Sequence, residues 1–127
     1  MNFDFIATFT ENFDAMRDFY RDVIELSISH EQDKYVEYQV DAFRFAICER
    51  SVMQNCLSHP AFDKPASGQK LELAFPFESR KALEEKYRDL VERGAQEIQG
   101  PKEMPWGHYT AFFADPDGNV HELYFRG

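Results

Sequence analysis

The sequence predicts an α+β fold made of two βαβββ modules. The segments FYRDVIE (19–25) and KYRDLVE (86–92) carry the same Tyr, Arg, Asp and Glu in the same order, with Tyr20 and Tyr87 67 residues apart (87 − 20), which points to an internal duplication. Each of these helical segments follows one alternating, aromatic-rich run and precedes three short runs of the same kind. At 127 residues, with 43% hydrophobic and 16% aromatic content, the chain is long enough for one domain with a substantial core.

In the first module, FDFIATFT (3–10) alternates and is rich in aromatic and β-branched residues, so it reads as a strand. Asn12 is placed to cap a helix over about 13–23, on which Met16, Phe19, Tyr20 and Val23 fall at helical spacing. Strands follow near LSISH (26–30), YVEYQV (35–40) and FRFAIC (43–48), the last two joined by a tight turn at Asp41-Ala42. Residues 50–68 contain Pro60, Pro65 and Gly68 and read as a connector with at most a short helical turn. The second module starts with a strand over KLELAFPF (70–77). Ser79 caps a helix carrying Leu83, Tyr87, Leu90 and Val91, with Gly94 at its C′ position. Strands near QEIQ (96–99), HYTAFFA (108–114) and NVHELYF (119–125) complete it, with DPDG as the last turn. The divisions are thus 1–49, 50–68 and 69–127, within a single domain.

Fourteen Lys and Arg against 23 Asp and Glu give a net charge of −9, with no basic run. This argues against nucleic acid or an anionic membrane surface as partner, and it favours neutral or cationic small molecules. The opening MNFDFIATFTENFD carries acidic residues and no apolar core, so neither an export leader nor a membrane span is expected. Cys48 and Cys56 form neither a disulfide framework nor a zinc pattern, and a reduced, cytoplasmic setting follows.

Strand alternation assigns faces. Val120, Glu122 and Tyr124 share one face of the last strand, and His121, Leu123 and Phe125 the other. If DPDG alone closes the hairpin, Tyr109, Ala111 and Phe113 join the Glu122 face. In the run 70–77, Leu71, Leu73 and Phe75 form the more hydrophobic set and should pack on the helix, which turns Glu72 to the same side as Glu122.

The paired modules, the helix start NFDAMRDFY (12–20) and the run PWGHYTAFFADPDGNVHEL (105–123) together resemble the vicinal oxygen chelate superfamily. That group contains glyoxalase I, bleomycin-resistance proteins, fosfomycin-resistance enzymes and extradiol dioxygenases. The resemblance spans nearly the whole chain, and PWG…DPDGN..EL is its most specific part. It implies curved sheets facing each other as a half-open mixed barrel with a ligand cleft, and pairing of short members as homodimers. It also implies four ligand positions in the metal-using members, one in the first and one in the last strand of each module. Glu72 and Glu122 match the second-module pair. The 67-residue offset maps Glu72 onto Phe5, and matching FRFA to VHEL maps Glu122 onto Phe45, so the first module supplies no donor there.

Two carboxylates alone would hold a hard cation weakly. No cofactor is therefore assigned, although a divalent Zn, Ni, Mn or Fe ion held by Glu72, Glu122, His108 and water is the alternative. The favoured reading is an acidic, aromatic cleft that binds a small organic molecule, an antibiotic or toxic metabolite. Phe5, Phe45, Tyr109, Phe113 and Tyr124 would form its walls, with Trp106 and His108 at the rim. Adjacent carboxylates raise each other's proton affinity, making Glu122 an acid/base candidate. Plainer readings stand beside these: Glu72 as a solvated residue at an open mouth, Phe5 and Phe45 filling their own module, and Trp106 packing a turn. The enzymatic alternative is a metal-dependent lyase or isomerase of the glyoxalase I type, or a related dioxygenase; a third is a regulatory domain with a closed cleft.

Overall fold

The computed structural model describes residues 1–127. The chain divides into two compact units, Met1–Ser67 and Gly68–Gly127. Each contains a four-stranded mixed sheet, and neither sheet closes on itself.

In the first unit, β1 (Phe5–Thr10) leads into α1 (Phe13–Asp18), which continues as one π-helical turn over Phe19–Val23. β2 (Ser27–Gln32), β3 (Tyr35–Val40) and β4 (Phe43–Glu49) follow, in the sheet order β1-β4-β3-β2. The parallel β1/β4 pair at one edge and the two antiparallel ladders are what a βαβββ module requires. Met16, Phe19, Tyr20 and Val23 are all buried, as their helical spacing predicts. Asn12 stands at the cap position but makes no side-chain cap hydrogen bond; its N–H donates instead to Thr10 Oγ1 at 2.8 Å. Asp41 takes a left-handed φ of 54° in the two-residue turn between Val40 and Phe43. After β4 come α2 (Arg50–Cys56) and a 3₁₀ turn over Pro60–Phe62, so more of the connector is helical than its sequence suggests.

The second unit repeats the plan with β5 (Ala74–Pro76), α3 (Arg80–Glu92), β6 (Gln96–Glu103), β7 (Tyr109–Ala114) and β8 (Val120–Phe125), in the order β5-β8-β7-β6. Ser79 caps α3 by accepting the Ala82 N–H at 3.0 Å. At the other end Gly94, with φ 109°, donates to Val91 O, and Ala95 donates to Leu90 O, as a glycine C′ residue allows. Leu83, Tyr87 and Leu90 are the buried stripe of α3.

Most strand ends shift by one or two residues from the sequence reading, and two strands differ by more. β5 is three residues rather than eight, because the chain before it is tied to β8 by side chains instead of a regular ladder. Leu73 N–H donates to His121 Nδ1 at 3.0 Å, while the Gln69 amide donates to Val120 O at 2.8 Å and accepts Val120 N–H at 3.0 Å. β6 is eight residues rather than four, prolonged through register shifts between Glu97 and Lys102. No helix is long and apolar enough to cross a membrane.

Candidate functional site

The face that carries Glu122 is set by the loop before β8. Asp115 is buried, and its carboxylate accepts the N–H groups of Asp117 and Asn119, each at 2.9 Å, and the Asn119 side-chain amide at 2.8 Å. Asn119 therefore belongs to the loop, which spans five residues, and pairing resumes at Ala114 opposite Val120. Phe112 then faces Glu122 across the ladder, and Thr110 faces Tyr124. This corrects the expectation that Tyr109, Ala111 and Phe113 share the face of Glu122. A four-residue DPDG turn would have put them there, and one added loop residue reverses every side chain of β7. Phe113 packs instead with Phe75 and His121, and Tyr109 donates to Glu84 on α3 at 3.1 Å.

Thr110 and Phe112 were thus missed by sequence reasoning, since only the loop length reveals their orientation. Phe112 is half-buried; Thr110 is buried, and its hydroxyl has no hydrogen-bond partner. His121 is fully buried on the helix side, as alternation predicts, with Nε2 3.6 Å from Asp115 Oδ2. Since its Nδ1 accepts from Leu73, a neutral ring carries its proton on Nε2, toward Asp115.

Glu122 is half-buried, and its backbone N–H donates to Leu73 O at 2.9 Å, which fixes it opposite Ala74 at the start of β5. Burial first, and the charge of nearby Glu72 second, hold its carboxyl above the usual 4.5, while His108 acts in the opposite direction. The structure therefore brings Glu72, His108 and Glu122 within electrostatic reach of one another. His108 stacks on Tyr124 with ring centres 5.6 Å apart and planes 18° apart, and Arg126 lies over the same Tyr124 ring at 5.6 Å. Trp106 is on the β6–β7 hairpin, which is pinned by Met104 N–H to His108 O and Gly107 N–H to Met104 O; the indole is 57% exposed.

In the first unit, Phe5 points away from α1, with the Arg44 guanidinium 5.1 Å from its ring. Phe45 does not share that face. It is buried against Tyr20 of the helical segment, ring centres 5.1 Å apart, and next to Tyr38. The ladders explain the difference. Ala74 pairs with Glu122, and Ala7, its equivalent in the first module, pairs with Ala46. Ala46, not Phe45, is the counterpart of Glu122; aligning residues after turns of unequal length shifted the match by one. Cys48 likewise lies on the Ala46 face, away from the helix.

The donor set fits a catalytic divalent ion poorly. The second unit offers two carboxylates with an imidazole nearby, yet no three His, Cys, Asp or Glu side chains stand close enough together to hold a metal. The counterpart positions, Phe5 and Ala46, carry no donor atom, whereas such an ion ordinarily takes three or more protein ligands. What the face offers is a carboxylate of raised proton affinity, a second carboxylate, an imidazole stacked on a phenol ring, and an unbonded hydroxyl.

The family model described as Glyoxalase/Bleomycin resistance protein/Dioxygenase superfamily matches residues 2–123. No curated protein matches the chain. Among solved structures, a glyoxalase/bleomycin resistance protein/dioxygenase from Nocardioides superposes with a TM-score of 0.87 at 18% identity, covering 98% of this chain and 83% of that one. A glyoxalase/bleomycin resistance protein/dioxygenase family enzyme from Burkholderia phytofirmans PsJN gives 0.84 at 21%, covering 98% of each. A lactoylglutathione lyase from Agrobacterium tumefaciens gives 0.76 at 19%, covering 98% of this chain and 92% of that one. Identities this low establish a shared fold alone.

Proposed function

The chain belongs to the glyoxalase/bleomycin resistance protein/dioxygenase superfamily, and from that premise we propose that it binds a small organic molecule bearing a cationic or hydrogen-bond-donating group, an antibiotic or toxic metabolite, on the Glu122 face of its second unit. Glu122 and Glu72 receive the donor group, and the Tyr124 and Phe112 rings take the flat or apolar body. The observation that carries this reading is the half-buried Glu122 carboxylate set opposite Phe112 on the face that carries the stacked His108–Tyr124 pair, its proton affinity raised by burial and by Glu72. A carboxylate under that strain gains from a cation or a donor that replaces the proton. The bleomycin-resistance members of the superfamily, which bind a cationic drug without chemistry, supply the precedent.

Thermal-shift measurements test it with a panel of cationic aromatic compounds, set beside Ni²⁺, Mn²⁺, Zn²⁺ and Fe²⁺. The expected result is a rise in Tm with one or more of the organic cations that Glu122→Gln removes, and no metal effect that depends on Glu122. If a divalent ion raises Tm and the same substitution abolishes that rise, the metal-dependent lyase or isomerase reading replaces this one.

A further inference from the structure

On the helix side of the second unit, away from the Glu122 face, α3 and β6 leave an open cleft of about 380 Å³, within the size range of small-molecule sites. The α3 wall is one stripe at helical spacing: Glu84, Tyr87, Arg88, Val91 and Glu92. Opposite stand Glu97 and Pro101 of β6, with Tyr109 of β7 at the base. The register shifts between Glu97 and Lys102 account for the gap, because a bulged edge strand bends out of the plane that would close on the helix.

The cleft holds three carboxylates, Glu84, Glu92 and Glu97, against the single cation Arg88. A second observation is independent of that charge. Tyr87 is only 6% exposed and its hydroxyl makes no hydrogen bond. Burial first, then the negative charge of Glu97 and the approach of its carboxylate to the hydroxyl, push the phenol up to about 12; Tyr87 and Glu97 both line the cleft, the two groups neighbours but outside hydrogen-bond geometry. Leaving a buried hydroxyl unbonded costs free energy that a suitable guest recovers. Glu84 is already engaged by the Tyr109 hydroxyl, and of the cleft's carboxylates Glu97 is the one that acts on the Tyr87 hydroxyl.

We infer that this cleft is a second binding site, one that takes a small organic ammonium with an apolar body. The ammonium donates to the Tyr87 oxygen and to the Glu97 carboxylate, giving the buried hydroxyl its missing hydrogen bond. The hydrocarbon lies on Val91 and Pro101. A neutral analogue of the same shape lacks the charge that the three carboxylates select, and an anion is repelled by them.

The test is amide NMR on the full chain, titrated with 2-phenylethylammonium and, separately, with neutral 2-phenylethanol. The expected result is saturable shifts centred on residues 84–92 and 97–101 with the ammonium and none with the alcohol. Tyr87→Phe deletes only an unbonded hydroxyl, so the protein stays folded, and it weakens binding about tenfold, the loss expected for one hydrogen bond to a charged group. Glu97→Gln weakens it similarly, and Glu122→Gln leaves these shifts unchanged. The inference is overturned if no shifts appear on α3 and β6 at millimolar ligand, if the alcohol binds as well as the amine, or if both cleft variants bind like the parent. Because the two faces report through different residues, shifts confined to β8 and lost in Glu122→Gln would refute this site while supporting the other.

Discussion

His121 and Leu73 are joined by a hydrogen bond that takes the place of a rung in the sheet: the Leu73 N–H donates to His121 Nδ1 at 3.0 Å, and the imidazole is fully buried. Its other nitrogen faces Asp115, whose carboxylate organises the loop ahead of β8. The position of Glu122, one residue on, therefore depends on a ring on the opposite side of the strand. His121→Phe keeps the aromatic volume but leaves the Leu73 N–H without its acceptor. Urea denaturation should show a loss of about 1–3 kcal/mol, the cost of one unpaired buried group. A change within about 0.5 kcal/mol, the usual scatter for neutral substitutions, would show that the bond contributes nothing.

Glu122 makes stability depend on pH in a direction opposite to most surface carboxylates. Its folded-state carboxyl lies above the ordinary 4.5, so the folded chain keeps this proton longer than the unfolded chain does as pH rises. The contribution is favourable below the ordinary value and is lost as pH climbs through the raised one. Glu122→Gln cannot ionise and escapes that loss. Its Tm should match the parent near pH 4 and exceed it near pH 8. Equal differences at both ends of the range would contradict the assignment of strain to this side chain.

The ends of α3 provide a calibration for the second unit. Ser79→Ala removes the hydrogen bond from Ala82 N–H and should cost about 1 kcal/mol. Gly94→Ala meets nothing within 4 Å at its new Cβ, so its cost comes only from a φ of 109° that alanine avoids, again about 1 kcal/mol or more. The two sites sit at opposite ends of a helix, and the double substitution should be additive in chemical denaturation.

The duplication, the module helices α1 and α3 and most strands were legible because they rest on local signals: helical spacing on Met16, Tyr20, Leu83 and Tyr87, a serine cap, a glycine stop. The faces of β7 were not, because they depend on whether Asn119 belongs to strand or loop. That is decided by the Asp115 carboxylate, which accepts the Asn119 N–H and side-chain amide and so keeps Asn119 in the loop. The same parity error displaced Phe45, whose burial against Tyr20 reflects a two-residue turn before β4 where the second module has five. Glu72 lies two residues before β5 and is exposed, yet its charge still acts on Glu122, because the Glu122 N–H bond to Leu73 O holds that stretch of chain beside β8.

β5 is the outermost strand of its sheet, three residues long and ending in Pro76. A proline has no N–H to offer, and the irregular chain upstream lacks the straight row of donors and acceptors on which a foreign strand could build. The side-chain ties of Gln69 and His121 that shorten β5 thus also guard this margin against edge-to-edge aggregation. Removing both would lengthen the sticky border that the molecule presents to other chains.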